Sequence, residues 1–477
     1  MKAAKNFITL FIGDGISFLL NFFTVVYLAR TLEVGYFGII NFAFAFYAFG
    51  SFLTNLGLIS VGTRDIAQDS RIKDPTAQNK YISNVISLRL FLGFLTFILL
   101  LILALIIRKP LNVKLLIIFY GFSLFPVALI LEWAFLGWER MEYIAIERIL
   151  IAASYLTLIF LLIKNTNNIL ILPIAYLVSN LLGAVFLFIV YHLTQNKSFY
   201  HKLKLKVNFN EWQQLIIQAL PIGLGAILIQ FSINFNTIFL GLVKSDVDVG
   251  LFSAANKLLV FILIFDRVFC NTTFPIISRY FIMGKAQLSI LLTRLGKLVF
   301  TISIPICVGG FMLSPNLIKL IYGATYQSGF SIFRILVWFL LIAMLNSLCT
   351  SSLIAGKKTK DYIWAIGIGV IANVILNLIL VPIIAGLGTA IALVTAELVT
   401  FIVLMLKIKS IVQIKFILSN IIKPIIATVV MAVIIKLLVY KLSVIPLIVL
   451  AAFVYGITII LIKGFNKEDL GITKAAQ

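Results

Sequence analysis

Apolar runs of about 20 to 30 residues follow one another along almost the whole chain, each closed by a charge, a proline, a glycine or an asparagine. About 20 such residues are what an α-helix needs to cross the hydrocarbon of a bilayer. About fourteen runs can be marked, at 7–29, 35–60, 82–107, 111–137, 142–164, 169–193, 213–243, 249–273, 289–313, 329–355, 360–382, 386–408, 414–440 and 443–463. They are too long for strands and lack a two-residue alternation. In lipid a helix satisfies its own backbone, so the expected fold is all-α, a polytopic membrane protein with about 14 transmembrane helices. Composition agrees. The 477 residues are 62% apolar and 12% charged, where a soluble domain is nearer half and a quarter. Asp14 interrupts the first run and no small-residue cleavage site follows, so it reads as a span and not as a cleavable signal.

An internal repeat orders these spans. Val34-Gly35-Tyr36-Phe37 through Asn41 returns as Val249-Gly250-Leu251-Phe252 through Asn256, and the offset holds to Arg64 and Arg279. A second echo links Gly137 through Tyr143 with Gly356 through Tyr362. The chain therefore reads as two six-helix lobes, 1–208 and 209–410, followed by two extra helices and a tail over 411–477. Six spans per half is even, so the halves share orientation.

Lys and Arg set the direction. With the N-terminus inside, 24 fall in inside segments and 9 in outside ones, which predicts both termini cytoplasmic. The same bias accounts for much of the net charge of +22, so no nucleic-acid partner is expected. His192 and His201, with Lys202, Lys204 and Lys206, belong to an inside loop facing lipid headgroups. Cys270, Cys307 and Cys349 lack ligand spacing and read as small packed hydrophobes, so neither metal nor cofactor is expected.

Polar residues inside spans carry the functional signal, because each must face protein or water. Asp14, Ser17, Asn21 and Thr24 share one face of the first span, and Gln230, Asn234, Thr237 and Gly241 share one face of the seventh. Lys257, Asp266, Arg267, Arg334 and Glu397 lie too deep to be dismissed. Arg89, Glu147, Arg148 and Lys423 lie nearer span ends and are expected to snorkel. A nucleotide loop of the G-x-x-x-x-G-K-[ST] type is missing. Asp246-Val247-Asp248 reads as a solvated turn and not as a metal-binding acidic pair.

Tyr27-Leu28-Ala29-Arg30-Thr31-Leu32, running into Val34-Gly35-Tyr36-Phe37-Gly38, resembles the polysaccharide repeat-unit flippases of the Wzx type. So do Gly137 through Tyr143, and Gly386-Leu387-Gly388-Thr389-Ala390 before Glu397. These flippases are O-antigen and capsule exporters of the multidrug/oligosaccharidyl-lipid/polysaccharide exporter superfamily. The resemblance implies two lobes around a cavity in the inner (cytoplasmic) membrane, and alternating access. It implies that an undecaprenyl-pyrophosphate-linked oligosaccharide is carried from the inner to the outer leaflet. Membrane lipids and a polysaccharide polymerase complex would be the partners, with no catalytic residue and no enzyme activity. On this reading Arg30, Lys257, Arg267 and Arg334 would meet the pyrophosphate. Asn21, Asn41, Gln230, Asn234 and Asn256 would meet the sugars, and Asp14, Asp266 or Glu397 would bind a coupling ion. The alternatives are a drug/cation antiporter or a peptidoglycan-precursor flippase of the same superfamily. From another class, they are a membrane glycosyltransferase or polysaccharide polymerase, against which the lack of a large outside loop argues.

Overall fold

The structure, a computed structural model, describes residues 2–68, 75–164, 168–194, 208–409, 412 and 418–464. His192, expected in an inside loop, instead lies in the last turn of the helix over Ile171–Thr194; His201, Lys202, Lys204 and Lys206 lie outside the described residues, as does the tail after 464. Among the described residues there is no strand. The helices are α1 (Lys2–Thr31), α2 (Val34–Asn55), α3 (Leu58–Gln68), α4 (Pro75–Ile106), α5 (Leu111–Phe122), α6 (Leu124–Leu129), α7 (Glu132–Gly137), α8 (Met141–Leu162), α9 (Ile171–Thr194) and α10 (Phe209–Val243). They continue with α11 (Asp246–Ile262), α12 (Ile264–Met283), α13 (Lys285–Tyr322), α14 (Phe330–Leu336), α15 (Phe339–Ala355), α16 (Thr359–Ile408), α17 (Leu418–Leu438) and α18 (Val444–Leu461).

Thirteen of the described helical segments are long and apolar enough to cross a membrane. The longest, α16, has 50 residues and would measure about 75 Å if straight, more than twice the hydrocarbon thickness. It is a hairpin. Ile384 (φ −123°, ψ 21°) and Ala385 (φ 48°, ψ −128°) turn the chain back, between the two sequence runs that end at Pro382 and start at Gly386. Asp361 Oδ1 lies 3.2 Å from Lys407 Nζ across the two arms. Gly369 is so close to Thr400 that a Cβ would sit 1.9 Å from its Oγ1. Counted as two crossings, α16 brings the total to fourteen, the number of apolar runs in the sequence.

The chain divides into two compact units, Met1–Gly241 and Leu242–Gln477. In the first, Leu58, Val61, Ile82, Trp133, Phe135 and Ile144 form a buried core. α10, which the repeat counts with the second lobe, packs within this unit. Its Trp212 meets Phe91, its Glu211 accepts from Asn84 at 2.7 Å, and its Gln218 accepts from Arg64 at 2.6 Å. Between α2 and α3 the chain bends through Leu56 (φ 41°) and Gly57 (φ 84°). There a Cβ on Gly57 would lie 2.6 Å from Ala219 O, and one on Gly223 would lie 2.6 Å from Leu56 O. The inside loop expected over 61–81 is shorter than the sequence suggests, because α3 runs to Gln68 and α4 starts at Pro75. α3 pins its small residues under α7, where Gly62 lies against the Trp133 ring and Thr63 donates to Trp133 O at 3.0 Å.

In the second unit, α12, α13, α15 and α16 close on Leu292, Val299, Met344, Leu348 and Leu404. Cys307 and Cys349 are buried in that core and free of disulfides. α17 and α18 cover α13 through Leu313, Met431, Ile435 and Leu447, and Tyr455 donates to Thr301 O at 2.7 Å.

One backbone motif recurs at positions the proposed repeat pairs, and again after α18 at Lys463 (φ 51°), where Gly464 N bonds Ile459 O at 2.8 Å. Glu139 (φ 56°) and Lys357 (φ 56°) both take the left-handed conformation after a helix end. Arg140 N bonds Phe135 O at 3.0 Å, and Lys358 N bonds Leu353 O at 2.9 Å. Both are the six-to-one bond of a Schellman cap. These turns match at an offset of 218, so the structural register differs by one residue from an alignment of Gly137 on Gly356.

Candidate functional site

The strongest ionic arrangement sits in the first unit, where α1, α7 and α8 meet. A Cβ on Gly13 would fall 2.5 Å from the Cβ of Ala145, so α1 and α8 are in backbone-close contact there. That approach sets Asp14 opposite Arg148. The Arg148 fork pairs with two carboxylates, Nη1 with Asp14 Oδ1 and Nη2 with Glu132 Oε1. The three side chains keep 34% (Arg148), 45% (Asp14) and 23% (Glu132) of their exposure. Glu147, the next residue, is 2% exposed and faces α9, where a Cβ on Gly183 would lie 3.3 Å from its Oε1.

Arg89 supports this arrangement from behind. It is 2% exposed and donates to Ile130 O, Val127 O and Asn55 Oδ1, each at 2.8 Å. Those carbonyls belong to the break between α6 and α7, which would otherwise leave backbone acceptors unpaired in a membrane interior. By satisfying them, Arg89 fixes the start of α7 and with it Glu132. The sequence expectation that Arg89, Glu147 and Arg148 snorkel is therefore corrected. Their depth along the chain is near a span end, yet the broken fourth span and close helix packing enclose two of them and pair the third. Lys423 is half-buried and donates to Lys463 O at 3.0 Å.

The second unit holds a different polar group. Asn346 on α15 donates from Nδ2 to Glu397 Oε1 at 2.6 Å and to Glu397 O at 3.1 Å. Its own Oδ1 is buried without a hydrogen-bond partner, as is Oδ1 of Asp266 on α12. Asp266 lies within electrostatic reach of Glu397. The structure thus brings Asp266 and Glu397 into one oxygen-rich neighbourhood and leaves Asp14 in another, already engaged by Arg148.

Other polar residues named from the sequence are distributed as follows. Asn21 and Asn41 bond their own helices, to Ser17 O at 2.9 Å and Phe37 O at 2.8 Å. Asn234 donates to Gln230 O at 2.8 Å, and Gly241 further along that face lies over the Phe42 ring. This stripe of α10 is turned toward α2. Arg334 is held between the Phe311 and Phe330 rings, 5.2 and 4.8 Å from their centroids, and donates to Ser314 Oγ at 3.0 Å. Arg30 and Arg267 are exposed, while Asn256 and Lys257 are half-buried on α11.

Within two residues along the chain of Lys257 and Arg267 lie walls of an apolar cavity of about 650 Å³ between α11, α12, α13, α14, α17 and α18. Leu258, Phe265, Pro305, Gly309, Met431 and Tyr455 are among its walls. Leu258 and Phe265 are chain neighbours of Lys257 and Asp266. Nothing in the sequence pointed to this cavity, because its lining is drawn from six helices and is almost wholly apolar.

Comparison with known proteins places this arrangement. Residues 3–281 match the family model described as polysaccharide biosynthesis protein. No curated protein sequence matches the chain significantly. Among solved structures, the lipid II flippase MurJ in an inward closed conformation is similar at 18% identity and TM-score 0.74, over 96% of this chain and 99% of that one. An inward-facing MATE-family multidrug resistance transporter of the MOP superfamily is similar at 17% identity and TM-score 0.66, over 83% and 94%. A MOP superfamily transporter from Pyrococcus furiosus is similar at 17% identity and TM-score 0.52, over 84% and 93%. The chain is a multi-pass membrane protein of the polysaccharide biosynthesis protein family, with the fold of the MOP superfamily transporters and flippases.

Proposed function

We propose that this protein flips a polyprenyl-pyrophosphate-linked oligosaccharide repeat unit from the inner to the outer leaflet of the cytoplasmic membrane by alternating access. The observation that carries the reading is the apolar cavity with walls within two residues along the chain of Lys257 and Arg267. A volume of about 650 Å³ is within the range of a small-molecule site, and its walls suit an isoprenoid chain. A cation within a residue or two of those walls suits the phosphates joined to that chain. The family description supports a glycan as the cargo. Asp266 and Glu397, with buried acceptor oxygens around them, are the groups proposed to bind the coupling ion. The flippase is proposed to work beside a polysaccharide polymerase, and the undecaprenyl carrier is the proposed lipid.

Surface polysaccharide in a flippase-null host tests this reading. The Lys257→Ala, Arg267→Ala double variant should reach the membrane at wild-type level and lose most export. Each lost charged hydrogen bond weakens binding by about 1.5–3 kcal/mol, roughly tenfold or more. Lys257→Arg should keep part of it, because charge is retained while geometry changes. Full export by the double variant would overturn the assignment. A peptidoglycan-precursor flippase, favoured by the likeness to MurJ, would rescue a lipid II flippase-deficient host instead.

Orientation has its own test. The proposal puts both termini in the cytoplasm, on the 24-to-9 basic bias. A cysteine introduced at Lys244, between α10 and α11, should react with an impermeant thiol reagent added outside intact cells, and one at Arg71 should not. The reverse pattern would invert the topology.

A further inference from the structure

The first unit contains two arginines in apolar surroundings, used in opposite ways. Arg89 is sealed in, and its Nη donors end on backbone carbonyls and Asn55. That is how a guanidinium serves a fold. Arg148 keeps about a third of its exposure, and its fork is filled by two carboxylates from two other helices. An ion pair contributes little to stability when partly wet, and in a bundle interior its desolvation commonly outweighs its attraction. Three partly exposed charges at one point are therefore poorly explained as a staple.

The direction of that exposure also matters. On α1 the exposed apolar side chains Ile8, Phe11, Ile12, Ile16, Leu19 and Phe23 spread over about 140° of the helix, at 100° per residue. Asp14 lies outside that sector, about 60° from its Phe11 edge. Its 45% exposure is therefore beside the lipid-like surface and not at its centre. Along α8, Arg148 is about 10 Å from the helix start at Met141.

We propose that Arg148 is an anion receptor for the phosphates of the substrate, additional to Lys257 and Arg267, and that Asp14 and Glu132 are the counter-ions that phosphate displaces. This rests on the pyrophosphate-linked cargo proposed above. A guanidinium binds phosphate and carboxylate through the same planar fork. Two carboxylates hold one nitrogen each, and a pyrophosphate can take both. Displacement frees Asp14 on α1 and Glu132 on α7 from α8, so loading of the cargo loosens the contact between these helices. By reciprocity, whatever weakens the clamp strengthens binding of the ligand.

That sign separates a receptor from a staple. The purified full-length protein in detergent is titrated with radiolabelled inorganic pyrophosphate and with farnesyl pyrophosphate, with farnesol as the uncharged control, and the Tm of each variant is recorded. Asp14→Asn, and Asp14→Asn with Glu132→Gln, should bind both pyrophosphates more tightly than wild type, the double variant by tenfold or more. Arg148→Ala should lose binding and Arg148→Lys should retain a weakened form. If Arg148→Ala does not fold, the Asp14→Asn variant, which leaves Glu132 on the guanidinium, carries the same sign. Carboxylate variants that bind no tighter than wild type would overturn the proposal, whatever their Tm. Binding of inorganic but not farnesyl pyrophosphate would also overturn it, assigning the cation to a free anion. The outcome is separable from the transport reading. Export that persists without the affinity gain removes this inference alone, whereas the gain in a protein that rescues no flippase-null host removes the transport reading and leaves Arg148 as an anion receptor.

Discussion

Arg89→Ala is expected to cost the first unit about 3–5 kcal/mol, the range for stripping one partner from a buried charged network. The buried guanidinium makes three 2.8 Å hydrogen bonds. Its removal leaves the carbonyl of Ile130 without a donor and that of Val127 with only the Ile130 N–H at 3.3 Å, at a helix break with no bulk water to replace the guanidinium. It also frees the start of α7, which carries Glu132. Arg89→Lys should recover only part of the loss, since one ammonium cannot reproduce the planar fork that reaches three acceptors. The measurement is the fraction of protein that stays monodisperse after a heating series in detergent. An alanine variant as heat-resistant as wild type would mean that water reaches the break and that the arginine is dispensable there.

The second large effect is expected at Gly57. Its φ of 84° costs an L-residue about 1–2 kcal/mol. An added Cβ would also lie 2.6 Å from Ala219 O and 2.9 Å from Gly223 N. Both are backbone atoms and cannot step aside, so overpacking adds about 1–3 kcal/mol. Gly223→Ala meets the same crossing from the α10 side but carries no φ penalty, so it should be the milder of the two. Gly225→Ala has nothing within 4 Å and should be neutral or slightly stabilising, since alanine favours the helix. Thermal stability should therefore fall in the order Gly225→Ala, Gly223→Ala, Gly57→Ala. A Gly57→Ala protein as stable as Gly225→Ala would show that α10 does not cross α2 and α3 at this point.

Most of the fold was legible because hydropathy is a local property. Each run of about 20 apolar residues has one solution in lipid, and the count of fourteen survives even where α16 joins two of them, since Pro382 and Gly386 mark the turn. What the runs did not show is where a span is broken. The fourth reads as one segment from 111 to 137 but is three helices, α5, α6 and α7, and the break creates the acceptors that Arg89 serves. Arg148 was discounted for the same reason. Seven residues from a helix start is within reach of an interface for a free helix, and only the approach of Gly13 to Ala145 shows that a partner carboxylate is waiting closer. Asp266 and Glu397 stood out as acids within spans, yet Asn346, which bonds Glu397, did not, because an asparagine in a span costs too little to stand out. The apolar cavity had no signal at all, since leucine and phenylalanine look alike whether they line a void or fill one.

The matched turns at Glu139 and Lys357 supply a ruler for comparing the stretches that the proposed repeat pairs. At their offset of 218, Glu132 corresponds to Thr350, Glu147 to Ala365 and Arg148 to Ile366. The two corners share a backbone conformation, and only the first carries these charges. The shape of such a corner is thus set by its cap and not by its ionisable side chains, so the charges beside the first can change without redrawing the turn that holds them.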